Sequence, residues 1–132
     1  MNSKQRIIII DDDEGNNFLS EIAIQRVYED TELVVFTNPE EGLTYIEKQY
    51  NKTQLPTMLF LDINMPAING WDIIDRLEKM QQLIISSFTI YILSSSDDRA
   101  DKERAGDKRL VKGYLLKPLR NNIFDLTKMA VC

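Results

Sequence analysis

Leu59-Phe60-Leu61-Asp62-Ile63-Asn64-Met65-Pro66 is the stretch that decides the fold class of this chain. An apolar run ends on a single carboxylate, and Pro66 keeps regular structure from continuing far beyond it. A hydrophobic strand that stops at an Asp places that Asp at the C-terminal edge of a sheet, where open α/β folds keep their chemistry. The remaining elements decide which residues reach Asp62.

Upstream of this strand, which runs from Thr57 to Leu61, lie two more strands, each followed by a helix. Arg6 to Ile10, aliphatic without a break from Ile7 on, reads as a strand buried on both faces of a parallel sheet. It stops at Asp11-Asp12-Asp13-Glu14, and Gly15 with Asn16-Asn17 turns the chain into a helix. In that helix Leu19, Ile22, Ala23, Arg26 and Val27 form the predicted inward stripe. Thr31 to Phe36 is the second strand, bounded by Asp30 and Asn38-Pro39. Asn38 suits a helix cap, Pro39 the first helical position, and Glu40-Glu41 the positive end of the helix dipole. Leu43, Ile46 and Tyr50 point inward before the polar loop from Asn51 to Gln54.

Downstream, residues 64–70 form a loop punctuated by Pro66 and Asn69-Gly70. Trp71, Ile74, Leu77 and the pair Met80-Gln81 continue as a helix, with Ile73 beside the stripe. Phe88 to Leu93 is the fourth strand and ends on Ser94-Ser95-Ser96. The helix from Asp97 to Lys108 has Ala100 and Ala105 as almost its only apolar residues, so it has little to bury. Gly113 to Leu116 is the fifth strand and ends on Lys117-Pro118. Leu119, Ile123, Leu126 and Ala130 give the stripe of a final helix.

Five short apolar strands alternating with five helices imply a parallel sheet covered on both faces by right-handed crossovers. The expectation is one α/β domain over residues 1–132, a flavodoxin-like doubly wound sheet with strand order 2-1-3-4-5, and no attached output domain. A chain of 132 residues can bury roughly two-thirds of its unfolded surface around one core.

Composition excludes several classes of function. A net charge of −5 argues against nucleic acid and against an anionic membrane surface, since both require clustered Lys and Arg. No apolar stretch approaches the roughly 20 residues of a membrane span. The apolar run Ile7 to Ile10 is too short for a signal peptide. The one cysteine, Cys132, cannot form a disulfide within the chain, which suits a cytoplasmic location. With no histidine present, any phospho-His or His base must come from a partner.

In a parallel sheet all C-terminal strand ends share one edge. That edge collects Asp11, Asp12 and Asp13 after the first strand, Asp62 after the third, Ser94 after the fourth and Lys117 after the fifth. Taken singly, each has an ordinary explanation: a turn Asp, a solvated acidic run, a Ser cap cluster, a Lys-Pro turn. All four at the same end of four strands point instead to a shared site. Carboxylates so close repel one another and need a cation, and hard oxygen ligands suit Mg2+. With Lys117 and the Ser94 hydroxyl added, the set fits an incoming phosphoryl group that Asp62 attacks in line.

The chain strongly resembles the receiver domain of two-component response regulators. The resemblance rests on Ile8-Ile9-Ile10-Asp11-Asp12, Leu61-Asp62-Ile63-Asn64-Met65-Pro66 with Asn69-Gly70, Ile92-Leu93-Ser94-Ser95, and Tyr114-Leu115-Leu116-Lys117-Pro118. It implies that Asp62 accepts a phosphoryl group from the phospho-His of a sensor histidine kinase or histidine phosphotransfer protein. It also implies that Mg2+ is held by Asp12 directly, by Asp11 mainly through a water, by Asp62, and by the backbone carbonyl of Asn64. Lys117 and Ser94 would hold phosphoryl oxygens, Ser94 and Tyr114 would form the switch, and the Lys117-Pro118 peptide would be cis. Phosphorylation would then change the surface of the fourth helix, fifth strand and fifth helix, which docks an unknown downstream protein or precedes onward phosphotransfer. The resemblance further implies a monomer or weak dimer that is not an enzyme beyond assisting its own phosphorylation and dephosphorylation. Ser94 stands where Thr is commoner, Asn69 where many relatives have Asp, and Leu119 where many have Phe. Asn64 and Ser96 occupy the positions that tune phosphoryl lifetime in the family.

Three rivals remain at this level. Asp11-Asp12-Asp13 satisfies the Asp-x-Asp pattern of haloacid-dehalogenase-type phosphohydrolases, with Asp11 as nucleophile and Asp13 as general acid. That family places Thr or Val where Gly15 and Asn16 stand, and it needs a cap for which this chain has little length. A flavin carrier would need a Ser/Thr/Gly-rich phosphate loop in place of the acidic run. A pseudo-receiver would usually lack an acid, the acceptor or the Lys, all of which are present.

Overall fold

Ile7, Ile8, Ile9 and Ile10 are each at most 1% exposed, so the first strand is buried on both faces as its aliphatic run predicts. The computed structural model describes residues 5–28, 31–49, 56–66, 68–80 and 88–117. Within them the strands are β1 (Gln5–Ile10), β2 (Thr31–Phe36), β3 (Thr57–Asp62), β4 (Phe88–Ser94) and β5 (Val111–Leu116). The helices are α1 (Glu14–Val27), α2 (Pro39–Gln49), α3 (Gly70–Glu78) and α4 (Arg99–Gly106). All strand pairs are parallel, in the order β2-β1-β3-β4-β5. This is the flavodoxin-like topology expected from the sequence. Tyr50, the loop from Asn51 to Gln54, Gln81, the peptide to Pro118 and the final helix from Leu119 to Ala130 lie outside the described residues.

Strand alternation divides the core in two. Ile8, Ile10, Leu59, Leu61, Ile90 and Ile92 pack on one face with Leu43, Ile46, Trp71, Ile74 and Leu77 of α2 and α3. Ile7, Ile9, Met58, Phe60, Tyr91 and Leu93 pack on the other face with Ala23 and Ile24 of α1. β2 is only half-buried along its length, as befits an edge strand. β5, at the other edge, begins at Val111 rather than Gly113. Its ladder slips by one residue between Ile90↔Val111 and Tyr91↔Gly113, and the polar Lys112 at the slip separates Val111 from the run that begins at Gly113.

The first helix corrects the sequence-based stripe. Among its described side chains the buried ones are Asn17, Ser20, Ala23 and Ile24; Ala23 keeps its place in the expected stripe, whereas Leu19 is 45% exposed and Phe18 64% exposed, and the Val27 side chain lies outside the described residues. The start of the helix sets this rotation. Asp13 caps it by accepting the Asn16 amide at 3.1 Å, and the Asn17 side chain turns in to donate to the Asp11 carbonyl at 2.8 Å. Apolar periodicity alone does not register such polar anchors.

The fourth helix behaves as its composition predicts. Ala105 is its one buried residue, and Asp98, rather than Asp97, caps it. Polar and ring contacts to α3 hold it in place. The Arg104 guanidinium lies 4.5 Å over the Trp71 ring, and Lys108 Nζ donates to Asp75 Oδ1 at 2.8 Å.

Candidate functional site

The sheet register brings the sequence-predicted residues to one level. Ile10 pairs with Leu61, so Asp11 and Asp62, each one residue further on, end adjacent strands together. Asp62 is the last residue of β3 and pairs with Leu93, which places Ser94 just beyond it on β4. Ser94 pairs with Leu116, and the Lys117 amide donates to the Ser94 carbonyl at 2.9 Å, so the fifth strand ends at the same edge.

Four side chains meet there. Asp11, Asp12 and Asp62 each offer a carboxylate oxygen within 4.8 Å of the others. Lys117 Nζ lies 2.9 Å from Asp62 Oδ2 and 3.1 Å from Asp11 Oδ2. Asp11 and Asp62 are buried, whereas Asp12 faces solvent. The second oxygens of the buried pair are tied to the backbone: Asp62 Oδ1 accepts the Asn64 amide at 2.9 Å, and Asp11 Oδ1 accepts the Asp13 amide at 3.0 Å.

One ammonium does not balance three carboxylates. Burial pushes Asp11 up to about 6, against the opposing pull of the Asp13 amide and Lys117, with the Asp62 charge adding to the rise. Asp12 is likewise raised, by desolvation and by Asp62. For Lys117 burial acts downward, but the Asp62 hydrogen bond and the charges of Asp11 and Asp62 outweigh it and leave the pKa raised. An all-oxygen set carrying two surplus negative charges, one arm open to solvent, fits a hard divalent cation that keeps several waters.

Ser94 is fully buried, and its Oγ accepts the Ser96 amide at 3.0 Å, which fixes the turn leaving β4. The Asn64 side chain is exposed; its main chain is what approaches Asp62. Tyr114 is engaged outside the carboxylate cluster. Its hydroxyl donates to the Ser96 carbonyl at 2.9 Å and its ring lies 6.0 Å from Lys102 Nζ, so it ties β5 to the segment between β4 and α4. The Lys117-Pro118 peptide lies outside the described residues.

Two contributors escape a reading of sequence. Gly70 was legible only as turn punctuation, yet a Cβ there would stand 2.7 Å from the Asp62 carbonyl oxygen and 2.6 Å from the Ile63 Cα. The first turn of α3 therefore rests directly on the backbone that presents Asp62, and Asn69 caps it by accepting the Trp71 amide at 2.7 Å. Asn17 is the second. Nothing in its spacing announces that its side chain turns inward.

A family model described as "Response regulator receiver domain" matches residues 7–129. Among solved structures, a two component response regulator from Cytophaga hutchinsonii superposes with a TM-score of 0.87 at 29% identity, covering 98% of each chain. CheY4, a chemotaxis response regulator of Vibrio cholerae, superposes at 0.72 with 17% identity over 98% of this chain and 99% of that one, a likeness of fold alone. Among curated proteins, one named "Probable transcriptional regulator ycf27" from Cyanophora paradoxa is 27% identical over 96% of this chain and 49% of its own length. The chain thus spans about half the length of the first curated relatives it matches. Among the described residues no helix is long and apolar enough to cross a membrane.

Proposed function

This chain belongs to the response regulator receiver domain family, and from that premise we propose that it is a phosphorelay switch whose phospho-acceptor is Asp62. The observation that carries the reading is the double contact of Lys117 Nζ with Asp62 and Asp11 at the sheet edge. It supports the reading because the ammonium sits against the proposed acceptor, with Asp12 open beside it.

In this reading a carboxylate oxygen of Asp62 attacks the phosphorus of a partner's phospho-His. The new P–O bond forms as the P–N bond breaks, and the imidazole departs with the electron pair. Asp11, Asp12, Asp62 and the Asn64 carbonyl would hold Mg2+, which neutralises charge on the transferring group when bound. The Asn64 amide and the Lys117 ammonium orient the Asp62 carboxylate beforehand. Lys117 then moves from the carboxylate to a phosphoryl oxygen, and the Ser94 hydroxyl, released from the Ser96 amide, donates to another. That exchange would loosen the turn to which Tyr114 is bonded and so reach α4 and β5, where Leu116 is 49% exposed. The partners are then a sensor histidine kinase or phosphotransfer protein on one side and a protein docking on α4 and β5 on the other. We place this chemistry in the cytoplasm, where such kinases carry their phospho-His.

The phosphohydrolase alternative fits the geometry poorly. Asp11 is buried and paired with Lys117, and the Asp13 carboxylate is committed to capping α1. Incubation with Mg2+ and acetyl phosphate, read by intact mass and by lability to base, tests the assignment. A base-labile adduct of one phosphoryl group should form, vanish in Asp62→Asn, and persist at a lower level in Asp11→Asn. Label on Asp11 with turnover of phosphomonoesters would establish the hydrolase, and no adduct would leave a phosphorylation-independent binding module.

A further inference from the structure

The geometry points to Asn17 as a positioning residue that sets the Asp12 carboxylate for the divalent cation. Asp12 is the exposed member of the three acids and, among the described residues, has no ion pair; its side chain faces Asp62, and the main chain on either side of it sets where that carboxylate is presented. Asn17 reaches that main chain on both sides, by its side chain before Asp12 and, after it, by the i→i−4 backbone bond that any residue at this position makes. Its Nδ2 donates to the Asp11 carbonyl at 2.8 Å, just before Asp12, and its amide donates to the Asp13 carbonyl at 3.0 Å, just after it. The Asp13 amide in turn donates to Asp11 Oδ1 at 3.0 Å, closing the turn onto the neighbouring acid.

Packing does not account for an amide at this position. Asn17 is 4% exposed on the same face as Ser20, Ala23 and Ile24, where an aliphatic side chain of equal size would serve. Its Oδ1 is buried with no hydrogen-bond partner among the described residues. A buried polar atom left unpaired is costly and calls for a reason. The bond made by the other half of the amide supplies that reason. It holds the peptide between Asp11 and Asp12 in one orientation, which an aliphatic residue would leave free. Partners that orient metal ligands commonly matter tenfold or more for metal affinity.

This inference rests on the reading of the acidic cluster as a Mg2+ site, and the experiment separates the two. Mg2+ binding to the full chain is measured by titration calorimetry, with thermal unfolding in the absence of metal, for wild type, Asn17→Leu, Asn17→Ala and the control Asp12→Asn. Asn17→Leu should bind Mg2+ about tenfold more weakly while its metal-free midpoint stays within a few degrees of wild type. With acetyl phosphate, the Mg2+ concentration for half-maximal adduct formation should rise by a similar factor, and the rate at saturating Mg2+ should return to within about twofold. Asn17→Ala should show the same split at lower stability, which covers the case in which Leu does not fit. Wild-type Mg2+ affinity in either folded variant would make Asn17 a packing residue and overturn the inference. Absence of Mg2+ binding by wild type would overturn the reading of the cluster and the inference with it.

Discussion

Lys117 and Asp62, 55 residues apart in sequence, meet at 2.9 Å across the end of β4, and the same ammonium reaches Asp11 at 3.1 Å. One side chain just past the edge strand β5 thus pairs with acids at the ends of β1 and β3. Its removal leaves two buried carboxylates without a cation.

Lys117→Met is therefore expected to destabilise the metal-free protein by about 2 kcal/mol. That is less than the roughly 3–5 kcal/mol of a broken buried pair, because Asp11, already near 6, can take up a proton. Mg2+ should recover part of the loss, and adduct formation from acetyl phosphate should slow on the order of 100-fold. Urea unfolding with and without Mg2+ checks the first claim; an unchanged midpoint would refute it.

Asp11 carries a pH dependence of definite sign. Its pKa rises from 3.8 to about 6 in the folded chain, so the folded state holds the proton more tightly than the unfolded state. Below 3.8 the group contributes nothing. Its cost grows as pH rises through that window and is complete above about 6, where it is on the order of 2–3 kcal/mol. Asp11→Asn should accordingly be more stable than wild type at pH 8 without metal, and that advantage should fade toward pH 4. Wild-type Mg2+ affinity should drop as pH falls below about 6. A stability difference that stays constant from pH 4 to pH 8 would contradict the assignment.

Gly70 tolerates no side chain without backbone movement, because an added Cβ would meet the Ile63 Cα and the Asp62 carbonyl oxygen. Gly70→Ala should cost about 1–3 kcal/mol and disturb the end of β3 that carries Asp62. Amide resonances of Ile63 and Asn64 should shift far more than those of β1. Unperturbed resonances there, with wild-type stability, would show that the contact relaxes freely.

The tether between α3 and α4 has a local readout. Arg104 over Trp71 and Lys108 on Asp75 anchor a helix whose buried residue is Ala105 alone. Arg104→Ala should cost about 0.5–1 kcal/mol. Hydrogen exchange should quicken in α4 by a few-fold while the β1 and β3 amides stay protected. Equal acceleration in the central strands would mean that the contact supports the whole domain.

Much of the site was legible because strand ends are local features. Apolar runs ending at Asp11, Asp62, Ser94 and Lys117 announce themselves within a few residues, and parallel topology puts them on one edge. The scant burial of α4 was legible for the same reason: a helix with few apolar residues has little to bury. The inward face of α1 was not. Leu19 is apolar and Asn17 and Ser20 are polar, yet the polar pair is buried, because hydrogen bonds to the turn after β1 rotate the helix.

Sequence by itself determined the five strands, their parallel order, and the identity of the residues at their ends, since each follows from composition over a short window and from the handedness of the chain. Tertiary structure alone decided that Lys117 bridges Asp62 and Asp11, that Asp12 is the acid left open, that Gly70 rests on the Asp62 carbonyl, and that Asn17 turns inward to grip the turn around Asp12. Those are questions of register, helix phase and distance between residues far apart in the chain, and they are answered only when the sheet and its helices close on one core.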